Sequence, residues 1–137
     1  MYNILICDDE PDIVSALKIY LASDGYGIYE AYNGREAIEM MQKTEIHLVL
    51  MDIMMPEMDG VETLYHIRQK QGNYFKNIPV IALTANAISG AREMFLSEGF
   101  ADFVAKPIEL SVLERVLRRY IPEDKIIKVE EYETAKK

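Results

Sequence analysis

The stretch LVLMDIMMPEMDGVE, residues 48–62, passes directly from apolar side chains to an acid. Residues 48–51 have the composition of a buried strand, and Asp52 follows them with no polar residue between. Burial of a carboxylate costs several kcal/mol unless a partner compensates for the lost hydration. A single acid at the end of a core strand therefore indicates a site, whose other members must come from elsewhere in the chain.

Short apolar runs alternate with patterns of helical spacing on both sides of this stretch. The five predicted strands cover residues 3–7, 26–31, 47–51, 79–83 and 102–105. Their near-continuous apolar character is typical of strands buried on both faces. Apolar residues at helical spacing, such as Ile13, Leu17 and Leu21, predict five helices between and after the strands. Helix boundaries are marked by Pro11, Asn33 and Asp59 at starts and by Gly25, Gly72 and Gly99 after ends.

Regular alternation of strand and helix predicts an α/β fold with a parallel sheet and helices on both faces. Because such crossovers are right-handed, few topologies remain, and five strands fit the flavodoxin-like, doubly wound order 2-1-3-4-5. The alternating pattern ends after Tyr120-Ile121-Pro122. We predict one domain over residues 1–121 and a C-terminal tail or linker over residues 122–137.

Composition excludes several classes of protein. The formal net charge of -8 gives no general attraction to nucleic acid phosphates, and the chain has no cluster of Lys and Arg. No apolar stretch approaches the length of a membrane span. The single cysteine, Cys7, lies in an apolar run, which indicates a buried thiol in a reducing compartment. We expect a cytoplasmic domain without direct contact to nucleic acid or membrane.

Polar residues stand at the carboxyl ends of four predicted strands. In an open α/β sheet, ligands bind beyond these ends where the strand order reverses, here between strands 1 and 3. Three acids beside one lysine repel each other, so they must bind protons or a cation, and oxygen ligands of this kind suit Mg²⁺. A cation, an ammonium group and a hydroxyl around an accessible carboxylate suit phosphoryl transfer to that carboxylate. The residues are Asp8, Asp9, Asp52, Thr84 and Lys106.

These residues resemble the receiver domain of two-component response regulators. The matching motifs are Asp8-Asp9, Asp52, MMPEMDG at 54–60, LTA at 83–85 and KP at 106–107. The resemblance implies that Asp52 is the phosphoacceptor and that Lys106 contacts the phosphoryl group. It also implies that Mg²⁺ is held by Asp8, Asp9, Asp52 and the backbone carbonyl of Met54, and that the Lys106–Pro107 bond is cis.

The resemblance further implies a conformational switch and a set of partners. In this switch, Thr84 moves towards the phosphoryl group, and an aromatic side chain at position 103 enters the space that Thr84 leaves. The movement alters the conformation of an output face made of the fourth helix, strand 5 and the fifth helix. Here that side chain is Phe103, without the hydrogen-bonding end of the commoner Tyr or His. The implied phosphoryl donor is a histidine kinase or a histidine phosphotransfer protein, and a phosphorylation-dependent dimer is compatible with the family.

The parent protein is left open by the sequence. Residues 82–108 are most similar to receivers of hybrid sensor histidine kinases, so we expect either part of such a kinase or a stand-alone response regulator. The domain is expected to catalyse only its own phosphorylation and dephosphorylation.

Other functions fit parts of the pattern less well. A Mg²⁺-dependent phosphatase of the haloacid dehalogenase type also uses an Asp nucleophile, but it carries a second Asp two residues later, where this chain has Met54. A degenerate receiver that serves only as an interaction module is disfavoured by the intact set of site residues. A nucleotide-binding domain is disfavoured because no Gly-rich phosphate loop follows strand 1. His47 and His66 are expected to be structural.

Overall fold

The computed structural model describes residues 1–85 and 89–125. Most of the predicted tail, residues 126–137, therefore lies outside the described residues. A 3-10 turn at Glu123–Lys125 ends the described part of the chain. The elements before it are β1 Asn3–Cys7, α1 Pro11–Ser23, β2 Gly27–Ala31, α2 Gly34–Lys43, β3 Leu48–Asp52, α3 Gly60–Gln69, α4 Asn73–Asn77, β4 Val80–Thr84, α5 Ala91–Glu98, β5 Asp102–Ala105 and α6 Leu110–Tyr120.

All five strands form one parallel sheet in the order β2-β1-β3-β4-β5. This confirms the predicted flavodoxin-like fold and strand order. The order reverses between β1 and β3, so the crevice for a ligand lies beyond the carboxyl ends of these two strands.

The strands β2, β3 and β4 each differ from the prediction by one residue, β2 at its start and β3 and β4 at both ends. β3 includes Asp52, which lies opposite Leu83 of β4, and β4 extends to Thr84. β2 begins at Gly27 rather than at Tyr26. The prediction ended strands at the last apolar side chain, but backbone pairing continues for one more residue because it uses only main-chain groups.

Two apolar layers cover the two faces of the sheet. On one face, side chains such as Leu5 and Val49 pack with residues of α2, α3 and α5. On the other face, side chains such as Ile4 and Leu50 pack with residues of α1 and α6. Cys7 is buried in the first layer, as predicted, and burial together with nearby carboxylates raises the pKa of its thiol.

The N-caps of α2 and α3 follow the sequence prediction. The Asn33 side chain accepts a hydrogen bond from the Glu36 amide at 2.9 Å, and the Asp59 side chain accepts one from the Glu62 amide at 2.8 Å. The cap at Asp59 fixes the start of α3 directly after the loop that follows Asp52. No helix within residues 1–85 and 89–125 is long and apolar enough to cross a membrane.

The structure adds a sixth helix, the single turn α4, which was not predicted. Its Tyr74 hydroxyl accepts a hydrogen bond from the Ile46 amide at 2.9 Å, and Phe75 packs against the core. Arg68 of α3 donates to the carbonyls of Phe75 and Ile78 at 3.1 and 2.9 Å. These contacts with other elements stabilise a turn too short to form alone.

Candidate functional site

Asp52 is the last residue of β3, and its carboxylate is almost fully buried, with 2% of the residue exposed. Its Oδ1 accepts hydrogen bonds from the Lys106 ammonium and from the Met54 amide, both at 3.2 Å. Its Oδ2 has no hydrogen-bond partner among the described residues. One oxygen is therefore held by the protein, while the other is buried without a donor.

The turn after β1 brings further acids to the same edge of the sheet. Asp8 is fully buried, and its Oδ1 accepts a hydrogen bond from the Glu10 amide at 2.9 Å. Carboxylate oxygens of Asp8, Asp9 and Glu10 lie within 4.8 Å of one another. Asp9 lies close enough to the Asp52 carboxyl to contribute to its raised pKa. The predicted acids of strands 1 and 3 are therefore close together.

Lys106 follows β5 and extends its ammonium group into this acidic cluster. Its Nζ lies 2.9 Å from Asp8 Oδ2, 3.2 Å from Asp52 Oδ1 and 3.5 Å from Glu10 Oε1. Burial acts to lower the pKa of Lys106, but its contacts with Asp8 and Asp52 outweigh burial and raise it. Lys106 therefore stays charged, and it is one cation among several carboxylates.

The pKa of Asp52 is raised to about 7, first by burial and then by the negative charge of Asp8, with Lys106 offsetting part of the effect. The ionised form of a carboxylate with such a pKa is stabilised by any cation that takes the place of the proton. The buried Asp52 Oδ2 has no hydrogen-bond partner in the described chain, and Asp8 Oδ2 contacts only the Lys106 ammonium, at 2.9 Å. The donor set consists of oxygens only, so these residues fit a hard divalent cation such as Mg²⁺.

The remaining predicted site residues lie around this cluster. Thr84 ends β4 and is buried, and its carbonyl accepts a hydrogen bond from the Lys106 amide at 2.8 Å. The Met54 side chain is largely exposed beside the Asp52 carboxylate that its amide contacts. Phe103 lies on β5, partly buried, with its ring 5.7 Å from that of Phe95 on α5. The peptide bond from Lys106 to Pro107 is cis, as the resemblance implied.

Sequence reasoning missed two charged residues. No role is predicted for Glu10 from the sequence, although it is the third acid in the run after strand 1 and contacts Lys106. Asp102 is the first residue of predicted strand 5, yet it is buried and accepts hydrogen bonds from Arg92 at 3.2 Å and Arg119 at 3.0 Å. An acidic residue at the start of an otherwise apolar strand is the sequence signal that could have indicated a buried ion pair at Asp102.

Comparison with known proteins gives concordant similarities. The family model described as "Response regulator receiver domain" matches residues 4–134. The Transcriptional regulatory protein SrrA of Staphylococcus aureus is 38% identical over 116 residues, which cover 85% of this chain. The matched part is 45% of SrrA, so the chain spans less than half of that relative.

Two solved structures have a similar fold over almost their full length. The chemotaxis protein CheY4 of Vibrio cholerae superposes with a TM-score of 0.81 at 26% identity, covering 88% of this chain and 99% of CheY4. The receiver domain of sensor histidine kinase PA1611 from Pseudomonas aeruginosa has a TM-score of 0.76 at 33% identity, covering 87% of this chain and 96% of the other. A magnesium ion is coordinated in the active site cleft of that receiver domain.

Proposed function

The chain belongs to the response regulator receiver domain family, and we propose that its Asp52 side chain accepts a phosphoryl group from a phosphohistidine donor. The observation that carries the proposal is the state of the Asp52 carboxylate. It is buried at a strand end, and Lys106 and the Met54 amide hold Oδ1, while Oδ2 has no donor among the described residues. A carboxylate oriented in this way can act as a nucleophile.

In the transfer, a carboxylate oxygen of Asp52 forms a bond to phosphorus. The bond between phosphorus and the donor's imidazole nitrogen breaks, and its electron pair remains on that nitrogen. The product is an acyl phosphate on Asp52. In dephosphorylation, a water oxygen attacks phosphorus and the bond between phosphorus and the Asp52 oxygen breaks. This restores the carboxylate and releases inorganic phosphate. We propose that the domain catalyses only these two reactions of its own side chain.

Nearby side chains would stabilise the charge on the transferred group. Lys106, already 3.2 Å from Asp52 Oδ1, would contact one phosphoryl oxygen, and the Thr84 hydroxyl would donate to another. Asp8, Asp9, Asp52 and the backbone carbonyl of Met54 would hold Mg²⁺. When bound, Mg²⁺ supplies positive charge that neutralises phosphoryl oxygens and the surrounding acids.

Phosphorylation would be read out at the face formed by α5, β5 and α6. This is the face that the resemblance assigned to the fourth helix, strand 5 and the fifth helix, because α4 had not been predicted. A phosphoryl group adds about 1.5 to 2 negative charges, which would draw Thr84 inwards. Phe103 would then shift relative to Phe95, whose ring now lies 5.7 Å away.

The context of the domain forms a second part of the proposal. A histidine kinase or a histidine phosphotransfer protein is the partner that carries phosphohistidine. The similarity to the PA1611 receiver supports a place within a hybrid histidine kinase, and a stand-alone regulator is the alternative. We also propose that residues 1–121 form the domain and that a tail or linker follows it. The domain would be cytoplasmic, without direct contact to nucleic acid or membrane, and phosphorylation would promote its dimerisation.

Intact-mass spectrometry tests the central assignment. With acetyl phosphate or phosphoramidate and Mg²⁺, the wild-type protein should gain one phosphoryl group, and peptide mapping should locate it at Asp52. Asp52→Asn should gain none, whereas the exposed-acid control Asp12→Asn should behave like wild type. An Asp52→Asn protein that gains the same phosphoryl mass would refute the assignment.

A further inference from the structure

We infer that Glu10 sets which phosphoryl donors react with this site, by disfavouring small donors that carry two negative charges. The inference rests on the proposed role of Asp52 as phosphoacceptor, and it concerns access to that residue. The structure supports it through the position of the Glu10 carboxylate relative to Lys106 and to solvent.

Glu10 stands where α1 begins, but its side chain does not cap the helix. Its backbone carbonyl accepts hydrogen bonds from the amides of Ile13 and Val14 at 3.1 and 3.2 Å, and its carboxylate makes no capping hydrogen bond. The carboxylate instead lies 3.5 Å from Lys106 Nζ, with 62% of the side chain exposed. Glu10 therefore presents a solvated negative charge beside the ammonium group.

The other two carboxylates on Lys106 belong to the buried part of the site. Asp8 and Asp52 contact the same ammonium at 2.9 and 3.2 Å and are each at most 3% exposed. A donor that brings phosphorus to Asp52 also brings phosphoryl oxygens to Lys106. These oxygens compete with Glu10 for the ammonium and approach its negative charge. Both effects slow the reaction, and the charge effect grows with the negative charge of the donor.

This arrangement discriminates between classes of donor. A phosphohistidine arrives on a protein surface, which can present a cation to Glu10 and so remove the repulsion. Free acetyl phosphate has no such group and meets the full negative charge. Glu10 therefore acts as a specificity-determining residue that protects the site from small phosphorylated metabolites and favours a protein donor.

The experiment compares two small donors on wild type and Glu10→Gln. Near neutral pH acetyl phosphate is a dianion, whereas phosphoramidate is mainly a monoanion. Mg²⁺ is raised for each variant until the rate of Asp52 phosphorylation, followed by intact mass, no longer changes. Glu10→Gln should raise the second-order rate with acetyl phosphate about three- to tenfold and the rate with phosphoramidate clearly less. Added salt should shrink the difference between variant and wild type.

Three further variants separate this role from a structural one. Glu10→Asp keeps the charge but shortens its reach to Lys106, so its ratio of the two rates should lie between those of wild type and Glu10→Gln. Asp12→Asn removes an exposed acid from the first turn of α1, and Glu39→Gln removes one from α2. Neither should change the ratio, because the inferred effect requires contact with Lys106.

The outcomes are distinct. An unchanged ratio in Glu10→Gln, or an equal change in Asp12→Asn, would overturn the inference while wild type still becomes phosphorylated at Asp52. Absence of phosphoryl mass on Asp52 in the wild type with either donor would refute the proposed function itself, and the inference with it.

Discussion

Replacement of Asp52 by Asn should stabilise the metal-free protein at neutral and alkaline pH. Asp52 is nearly fully buried beside Asp8, and these surroundings raise its pKa from 3.8 to about 7. Asparagine has a similar shape and no charge, so it removes the cost of the ionised carboxylate without opening a cavity.

The size and pH range of the effect follow from the pKa shift. Between about pH 4 and pH 7 the folded state binds a proton that the unfolded state has lost, so stability falls as the pH rises through this range. At about 1.4 kcal/mol per pKa unit, a shift of about three units gives a ceiling near 4 kcal/mol. Above about pH 7 the whole cost is present, and below the unfolded pKa of 3.8 it is absent. We expect Asp52→Asn to gain about 2 to 4 kcal/mol at about pH 8 and much less at about pH 5.

Urea unfolding in the presence of EDTA measures the difference directly. Glu39→Gln, which removes an exposed acid from α2, is the control for net charge and should change stability little. Saturating Mg²⁺ should narrow the gap, because binding stabilises wild type by about 2.7 kcal/mol at a concentration of about 100 Kd. An Asp52→Asn protein that is less stable than wild type, or equally shifted at both pH values, would refute the reasoning.

Three other predictions concern the metal site, the loop and the switch. Asp9→Ala should weaken Mg²⁺ binding at least about tenfold in calorimetric titration. The Mg²⁺ affinity of the wild type, measured in the same way, should fall as the pH drops through the Asp52 pKa of about 7. Unchanged affinity in the variant would contradict the metal assignment. Gly60→Ala should lower the free energy of unfolding by about 1 to 3 kcal/mol, measured with urea. The added Cβ would clash with the Asp52 carbonyl oxygen and lie only 2.9 Å from Ile53 Cα. Wild-type stability in this variant would show that the loop can move aside. Phe103 should already sample its inward position without phosphate and shift only partly when the phosphate mimic beryllofluoride is bound. A population change from 1:99 to 99:1 needs about 5.5 kcal/mol, and Phe103 has no hydrogen-bonding end to stabilise the inward state. Side-chain NMR that shows one pure rotamer before and another after addition of the mimic would disprove this.

The fold and the main site could be predicted from sequence because both depend on repeated patterns. Buried parallel strands have a continuous apolar signal, and the strand order then places Asp8, Asp52 and Lys106 at one edge of the sheet. The contacts among these three residues agree with that placement.

What sequence reasoning missed depends on single contacts between distant residues. The turn α4 has no period, and it exists because Tyr74 and Arg68 contact other elements. Glu10 reaches Lys106 because of the path of the turn after β1, which hydrophobic spacing does not specify. The partners of Asp102 lie on two separate helices, so no local pattern connects them to it.

The buried carboxylate of Asp102 serves two helices at once, through Arg92 of α5 and Arg119 of α6. Loss of one arginine leaves the buried carboxylate less well compensated, at a cost reduced by solvent because each arginine side chain is half exposed. Substitutions at these three positions are therefore coupled. The effect of a substitution at any one of them depends on the residues at the other two, so the three residues should covary among homologous sequences.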